Sequence, residues 1–415
     1  MAEATPPPTT SNRKLVFFAP DFADACTVKR TEEFIEHGYL PTVFAFRRER
    51  YNRGYRPPWP HVSLGQTSDA RYWQRLRALL GALPTLYAHR QRLREASAFY
   101  VRNIDLLALA LLARLIFNPG VAVTYEVLDI QPIQVSSGLL PALLRASERF
   151  LLRGVRLLVL SSPGFYRHYF QAFQRYKGDW LLLENKLPRS VLKDIAPITL
   201  TPPAAVPPNR RWTVGYFGLI RGQATFELMT RLAERLGDKV FFEFRGILTT
   251  VDEAKFLDTL ALHPNMAFGG EYSNPRDLPQ MYRGVDFVWA LDLENVDSNS
   301  RWLLPCRFYE AGLFGVPSLT VQGFEVGELV ERLNIGWAFP QPIEESLVQF
   351  FETLTPEDYA ARRANLMALP LDTFVAGSDM TAVCAAIGGS ALPLAMLTPE
   401  PDRRPTGQAS STIPS

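Results

Sequence analysis

The sequence is poor in cysteine and has no marked excess of either charge. Its three cysteines, Cys26, Cys306 and Cys384, are scattered and show no CxxC spacing. This pattern argues against a disulfide scaffold and against a structural zinc site, and it predicts a reducing, cytoplasmic compartment. The formal net charge of the 415 residues is +2, so the overall charge does not indicate a nucleic-acid partner.

The sequence also lacks a long apolar run. Its longest apolar stretch, Leu106 to Phe117, is interrupted by Arg114. A membrane-spanning helix needs about 20 apolar residues, so this stretch predicts a buried helix instead. Residues Met1 to Arg13 are polar and proline-rich, without the apolar segment of a signal peptide.

Three stretches are too rich in proline, serine and threonine to contribute a core. They are residues 1–13, 199–211 and 389–415. We expect the first and last to be disordered tails, and the middle one to be a linker between two domains, 14–198 and 212–388.

Both predicted domains repeat a pattern of short apolar strand, loop and helix. Strands are predicted at 14–19, 40–46, 121–128 and 156–160, and again at 212–217, 240–244, 286–291 and 318–321. Apolar runs without alternation, separated by helices, indicate parallel strands covered on both faces. The sequence therefore predicts two doubly wound, Rossmann-like α/β domains facing each other across a cleft, with ligands at the carboxyl ends of the strands.

Three motifs of the second half resemble, in order, the nucleotide-binding domain of family-4-like GT-B glycosyltransferases. They are VGYFG (214–218), the stretch from Asn265 to Leu291, and LPCRFYEAGLFGVPSLT (304–320). The likeness covers residues 14–385, and a weaker similarity links the chain to bacterial exopolysaccharide glucuronosyltransferases. It implies a nucleotide sugar bound by the second domain and an acceptor bound by the first.

The resemblance implies transfer of a hexosyl or glycuronosyl group to a hydroxyl. The expected acceptor is a lipid-linked saccharide in bacterial surface or exopolysaccharide synthesis. Two alternatives stay open at this point: a GT-B nucleotide-sugar epimerase, and a non-catalytic two-domain ligand-binding protein.

Eight residues are candidates for binding the nucleotide sugar. They are Gly218, Arg221, Tyr272, Asp297, Ser298, Asn299, Arg307 and Glu310. From the resemblance we expect Glu310 to accept hydrogen bonds from ribose hydroxyls, and Arg221 and Arg307 to bind the diphosphate. The family's partner glutamate, eight residues earlier, is replaced by Trp302, so we expect Asp297, Ser298 or Asn299 to orient the sugar.

No metal or other cofactor is expected. The sequence has no DxD motif, and its five histidines show no metal-ligand spacing. The diphosphate is therefore expected to be held by arginines and by helix N-termini.

Three carboxylates of the first half are candidates for the catalytic base. Asp21, Glu126 and Asp129 lie at or just after the carboxyl ends of predicted strands, where a base could take a proton from the acceptor hydroxyl. For each, a purely structural role is the alternative. Asp24 lies in the same loop as Asp21, and it is as readily explained as the N-terminal cap of the following helix.

The segment from residue 71 to residue 102 is rich in arginine and aromatic residues and contains one acid, Glu95. Arginine-rich amphipathic segments with aromatic anchors bind anionic membrane surfaces. The alternative is a pair of helices packed on the sheet, with a solvated basic face. The first reading places the protein peripherally on the inner membrane.

Overall fold

The computed structural model describes residues 13–47, 55–66, 72–193 and 211–389. Apart from Arg13, Arg211 and Gly389, the predicted tails and linker lie outside the described residues, so their disorder and the domain boundary stay predictions. The described part contains two all-parallel sheets of seven and six strands. The predicted class of two doubly wound α/β domains is therefore confirmed.

The first sheet has the strand order β3-β2-β1-β4-β5-β6-β7. Its strands are β1 (Arg13–Ala19), β2 (Tyr39–Arg47), β3 (His61–Gln66), β4 (Ala98–Arg102), β5 (Ala122–Val127), β6 (Leu157–Leu160) and β7 (Trp180–Leu182). Nearly every residue of β1, β4, β5 and β6 is buried, because helices cover both faces.

The helices of the first half connect these strands. They are α1 (Ala25–Glu36), α2 (Tyr72–Ala88), α3 (Arg90–Glu95), α4 (Ile104–Phe117), α5 (Pro132–Val135), α6 (Leu139–Leu152) and α7 (Pro163–Phe165), which runs into a π-helical turn, Tyr166–Gln171. α1 packs on one face of the sheet, and α2, α3, α4 and α6 pack on the other. Asp24 caps α1 by accepting a hydrogen bond from the Thr27 N–H.

The second sheet has the order β10-β9-β8-β11-β12-β13. Its strands are β8 (Trp212–Ile220), β9 (Val240–Leu248), β10 (Met266–Phe268), β11 (Phe287–Trp289), β12 (Ser318–Val321) and β13 (Gly336–Phe339). Its helices are α8 (Gln223–Leu236), α9 (Glu253–Leu262), α10 (Leu278–Arg283), α11 (Asn299–Trp302), α12 (Cys306–Leu313), α13 (Glu325–Leu333), α14 (Ile343–Thr353) and α15 (Pro356–Met367).

The last helix, α16 (Ser378–Ile387), corrects the predicted content of the second domain. Met380, Val383 and Ile387 belong to the same core as Leu15 and Phe17 of the first sheet. α1 leaves part of that face uncovered, and the apolar side of α16 covers it. The chain therefore returns to the first domain at its end.

The structure also corrects the prediction that residues 71–102 form an arginine-rich amphipathic surface. The segment is not one amphipathic surface, because its last five residues form β4, a central strand between β1 and β5. Phe99 and Arg102 are buried there. Apart from Ser97, the residues of the segment that the structure shows as exposed lie on α2 and α3. No helix in the described part of the chain is long and apolar enough to cross a membrane.

Candidate functional site

The carboxyl ends of the two sheets face each other, and several contacts join the domains on one side of the gap. Asn299 of α11 hydrogen-bonds Asp129 after β5. The Ser162 hydroxyl donates to the Trp302 carbonyl oxygen, and Arg167 pairs with Glu325 at 2.6 Å. The candidate site lies in the cleft beside these contacts, as expected for open parallel sheets.

Glu310 lies on α12 and is held by two side chains. The amide of Asn274 donates to one carboxylate oxygen at 2.9 Å, and the hydroxyl of Tyr282 donates to the other at 2.9 Å. Burial raises the pKa of Glu310, and these two hydrogen bonds partly offset the rise. Each oxygen keeps lone-pair capacity, so this fixed carboxylate can still accept two ribose hydroxyls.

Gly218 and Tyr272 lie beside this carboxylate. Gly218 has a φ of +103°, which strains any residue with a side chain, and an added Cβ would lie 3.9 Å from the Tyr272 hydroxyl. On the paired strand β9, a Cβ on Gly246 would come within 1.9 Å of the Gly218 carbonyl oxygen. Both positions therefore require glycine, and the backbones of β8 and β9 approach each other closely here.

Tyr216 lies between the two candidate diphosphate ligands. The guanidinium of Arg307 stacks over its ring, 4.5 Å from the centroid. Its hydroxyl donates to the Arg221 carbonyl oxygen at 3.1 Å. Arg307 also donates to the carbonyl oxygens of Trp289 and Leu219, at 3.3 and 3.4 Å. These contacts orient both arginines at the carboxyl ends of β8 and β11.

Arg221 is paired with carboxylates in this structure. Its Nε donates to Asp292 at 3.0 Å and lies 3.6 Å from Glu294. These acids fix the guanidinium but also neutralise part of its charge, so a bound diphosphate would have to share it. The structure thus places Arg221 at the cleft in a more acidic setting than the sequence predicts.

Asp129 follows β5 and faces the second domain. Its carboxylate accepts a hydrogen bond from the Asn299 amide at 2.9 Å, and the Asn299 carbonyl oxygen accepts from the Ile130 N–H at 2.9 Å. The residue keeps an exposed surface. Limited hydration within the cleft raises its pKa, while Asn299 and Arg221 oppose the rise. An exposed, oriented carboxylate of raised pKa suits a general base.

The structure does not bring Glu126 to the cleft. Its buried carboxylate pairs with Arg30 at 2.7 Å and with Arg102 at 2.5 Å. Burial alone would raise the pKa of Glu126, but the two guanidinium groups lower it to about 2. A carboxylate with two buried cations and so low a pKa is a poor proton acceptor, so its role here is structural. The sequence pattern did not show these two partners.

Three further candidates have no described contact across the cleft. Asp21 is buried and accepts a hydrogen bond from the Ala23 N–H at 2.9 Å, which fixes its own loop. Asp297 is exposed, and the Ser298 N–H donates to the Asn295 carbonyl oxygen in the turn before α11. Of the three residues expected to orient the sugar, only Asn299 makes a described side-chain contact across the cleft.

Four site residues were missed from the sequence: Tyr216, Asn274, Tyr282 and Asp292. Tyr216, Asn274 and Tyr282 lie inside the motifs that carry the resemblance, so position within a motif was the available signal. Asp292 lies in the loop just after the second motif, where only the folded chain shows the contact. Among the described residues, no group of three or more His, Cys, Asp or Glu side chains could hold a metal ion.

Comparison with known proteins extends this picture. No protein-family model matches the chain. The succinoglycan biosynthesis protein ExoL of Rhizobium meliloti is 30% identical over 347 residues, which are 84% of this chain and 86% of that protein.

Solved structures share the fold. Anabaena HepE in complex with UDP and glucose superposes with a TM-score of 0.64 at 16% identity, covering 91% of this chain and 100% of that one. Sucrose-phosphate synthase from Thermosynechococcus elongatus gives 0.68 at 13% identity, with 91% and 99% covered. The two parallel sheets, the solved structures that share the fold and the match to ExoL over most of both chains lead to the same assignment. The chain therefore belongs to the family of the succinoglycan biosynthesis protein ExoL, and it has the GT-B fold that glycosyltransferases share.

Proposed function

We propose that the protein transfers a sugar from a UDP-sugar to a hydroxyl of a lipid-linked saccharide in exopolysaccharide synthesis. The observation that carries the proposal is the placement of two carboxylates on opposite sides of one cleft. Glu310 is fixed and buried on the donor side, and Asp129 is oriented but exposed on the other. The name of ExoL and the UDP and glucose bound by HepE support the choice of pathway and donor.

The second domain holds the donor in this proposal. Glu310 accepts the ribose hydroxyls, and Arg307 and Arg221 stabilise the diphosphate as it leaves. The first turn of α8 follows β8 directly, so its N–H groups and the positive end of its dipole add to this stabilisation. We propose that these groups suffice without a resident metal or cofactor.

Asp129 is the proposed base. It takes the proton from the acceptor hydroxyl as that oxygen attacks the anomeric carbon, and the bond from that carbon to the diphosphate breaks. A single displacement of this kind inverts the anomeric configuration. Asn299 reaches Asp129 from the donor domain, so the base is held in place only when the two domains meet. Closure would also exclude water and limit hydrolysis of the donor.

We further propose that the reaction takes place at the cytoplasmic face of the inner membrane, where a lipid-linked acceptor resides. Within residues 71–102, Arg77, Arg92 and Arg94 are exposed on α2 and α3. The exposed ring of Tyr87 lies under the Arg90 guanidinium, 4.7 Å from it. Such groups favour an anionic surface.

The test is incubation with a panel of UDP-, GDP- and ADP-sugars, with and without a lipid extract from a polysaccharide-producing strain. We expect nucleotide release from UDP-sugars that depends on the lipid extract, with the sugar recovered in the lipid fraction. Release from none of the donors would contradict the proposal. Conversion of a nucleotide sugar to its epimer without an acceptor would point to the epimerase alternative.

A further inference from the structure

Helix α6 presents apolar side chains to solvent. Leu139 is 92% exposed, Leu143 64% and Phe150 67%, and they recur at intervals that place them along one side of the helix. The opposite side packs on the sheet through Leu152 and the buried Glu148. An exposed apolar stripe of this length on a soluble helix marks an interaction surface.

The neighbouring helix continues this surface. α4 packs beside α6 on the same face of the sheet, and its outward residues include Leu115, 73% exposed, and Ile116. Next to α4, the ring of Tyr87 at the end of α2 lies 6.5 Å from that of Phe117. We define the outer surface of α2, α4 and α6 as the apolar face.

The helices around the apolar face carry an excess of positive charge, because their few acids are paired or buried. The acids on α2, α3, α4 and α6 are Glu95, Asp105 and Glu148. Glu95 pairs with Lys14 at 2.6 Å and Asp105 with Arg75 at 3.0 Å, and Glu148 is buried. The same four helices carry eight arginines: Arg75, Arg77, Arg90, Arg92, Arg94, Arg114, Arg145 and Arg149.

Glu148 points away from the exposed apolar side chains of α6 and is buried under the helix. Its carboxylate accepts hydrogen bonds from the Tyr169 hydroxyl and, at 2.6 Å, from the Gln174 amide beneath the helix. Arg149 and Arg153 lie beside the stripe, with Arg153 5.9 Å from the Phe150 ring centroid. Apolar side chains flanked by arginine suit a surface with an apolar interior and anionic headgroups.

We propose that the apolar face docks on a bilayer containing anionic lipid, with α6 lying in the interface and Leu139, Leu143 and Phe150 inserted between the lipids. This moves the main membrane contact from the arginine-rich segment to α6. Helix α6 begins ten residues after Asp129, in the same β5-to-β6 connection. A membrane at α6 would therefore present a lipid-linked acceptor to the cleft, an extension that rests on the proposed function.

The test is co-sedimentation with vesicles of 30% phosphatidylglycerol in phosphatidylcholine, and with vesicles of phosphatidylcholine alone. We expect the wild type to prefer the anionic vesicles. The triple variant Leu139→Ser/Leu143→Ser/Phe150→Ser should partition at least about 100-fold more weakly, since three apolar insertions are lost. The matched control, Leu40→Ser/Leu257→Ser/Leu262→Ser, removes exposed leucines elsewhere and should bind as the wild type does.

Salt separates the two contributions to binding. In 0.5 M NaCl the arginine attraction is screened, and the wild type should still exceed the triple variant. Equal binding of wild type and triple variant would overturn the proposal. So would a wild-type dimer in solution that the triple variant lacks, without vesicle binding, because the stripe would then join two copies.

UDP affinity, measured without vesicles, checks that the triple variant is folded. Loss of vesicle binding with UDP affinity retained supports the docking proposal. Glycosyl transfer to an extracted acceptor, despite absent vesicle binding by the wild type, would overturn docking alone. Vesicle binding without any transfer would overturn the proposed function alone.

Discussion

Replacing Glu310 by alanine removes the carboxylate that we propose as the acceptor for the nucleotide ribose. The change leaves the Asn274 amide and the Tyr282 hydroxyl without their acceptor. It also takes away both oxygens that would meet the ribose hydroxyls. Because Glu310 is only 7% exposed, water cannot readily take its place.

The size of the effect follows from hydrogen bonds to a charged group. Such bonds contribute about 1.5–3 kcal/mol to binding. A tenfold change in affinity corresponds to about 1.4 kcal/mol. We therefore expect Glu310→Ala to weaken UDP binding by about 10- to 150-fold. Glu310→Gln keeps the shape and one carbonyl oxygen, so its loss should lie at the lower end of that range.

Isothermal titration calorimetry with UDP is the direct assay. The matched control is Glu344→Ala, which removes a carboxylate of α14 that pairs with Arg231 and Arg235 on the surface of the same domain. That variant should bind UDP as the wild type does. A folded Glu310→Ala protein with unchanged UDP affinity would refute the reasoning.

The pH dependence of UDP binding gives an independent check. Burial raises the pKa of Glu310 in the free protein. The ionised form is the one that accepts both ribose hydroxyls, so affinity should fall as pH drops through this raised pKa. The fall should begin above the pH at which an ordinary glutamate, with a pKa of about 4.3, protonates. Glu310→Gln should lack this acidic transition.

Substitutions at four other positions test the remaining parts of the account. Asp129→Asn should lower kcat about 100- to 10,000-fold with UDP affinity retained. Asn299→Ala should move the acid limb of the pH profile of kcat to higher pH, because the hydrogen bond that lowers the pKa of Asp129 is lost. Arg221→Ala should lower turnover about 100-fold. Arg221→Lys should recover only part of it, since an ammonium cannot form the two parallel hydrogen bonds of a guanidinium with a diphosphate. Normal turnover of the alanine variant would mean that other groups bind the diphosphate. Glu126→Gln should lower the free energy of unfolding by about 3–5 kcal/mol in urea titrations, because two buried guanidinium groups lose their partner. In the wild type this stabilisation is present above about pH 4.3, the pKa of a glutamate in the unfolded chain, and is lost as the pH falls towards about 2. Equal free energies of unfolding for the wild type and the variant at pH 6 would contradict this prediction.

The sequence was sufficient for most of the fold because its strands are continuous apolar runs. The strand at Ser318–Val321 was predicted at its observed bounds, and β1, β5 and β6 within one residue at each end. β4 was missed because its apolar residues follow arginine-rich helices, and composition alone did not separate the two. The return of α16 to the first sheet depends on which face stays uncovered, and no local pattern records that.

The candidate site was predicted unevenly for a similar reason. Gly218, Tyr272, Arg307 and Glu310 lie in motifs of the donor domain, and the structure brings them together. Asp129 and Glu126 looked alike in sequence, three residues apart at one strand end. Only the positions of distant partners, Arg30 and Arg102 for Glu126 and Asn299 for Asp129, distinguish a buried ion pair from an accessible carboxylate.

The most direct test of glycosyl transfer in this cleft uses the wild type and Asp129→Asn with a radiolabelled UDP-sugar and extracted lipid-linked acceptor. Both proteins should bind UDP with similar affinity. The account predicts that the wild type moves label into the lipid fraction and releases UDP in equal amount, whereas the variant does neither at a comparable rate. Transfer by Asp129→Asn at the wild-type rate, or no transfer by the wild type from any UDP-sugar, would contradict it.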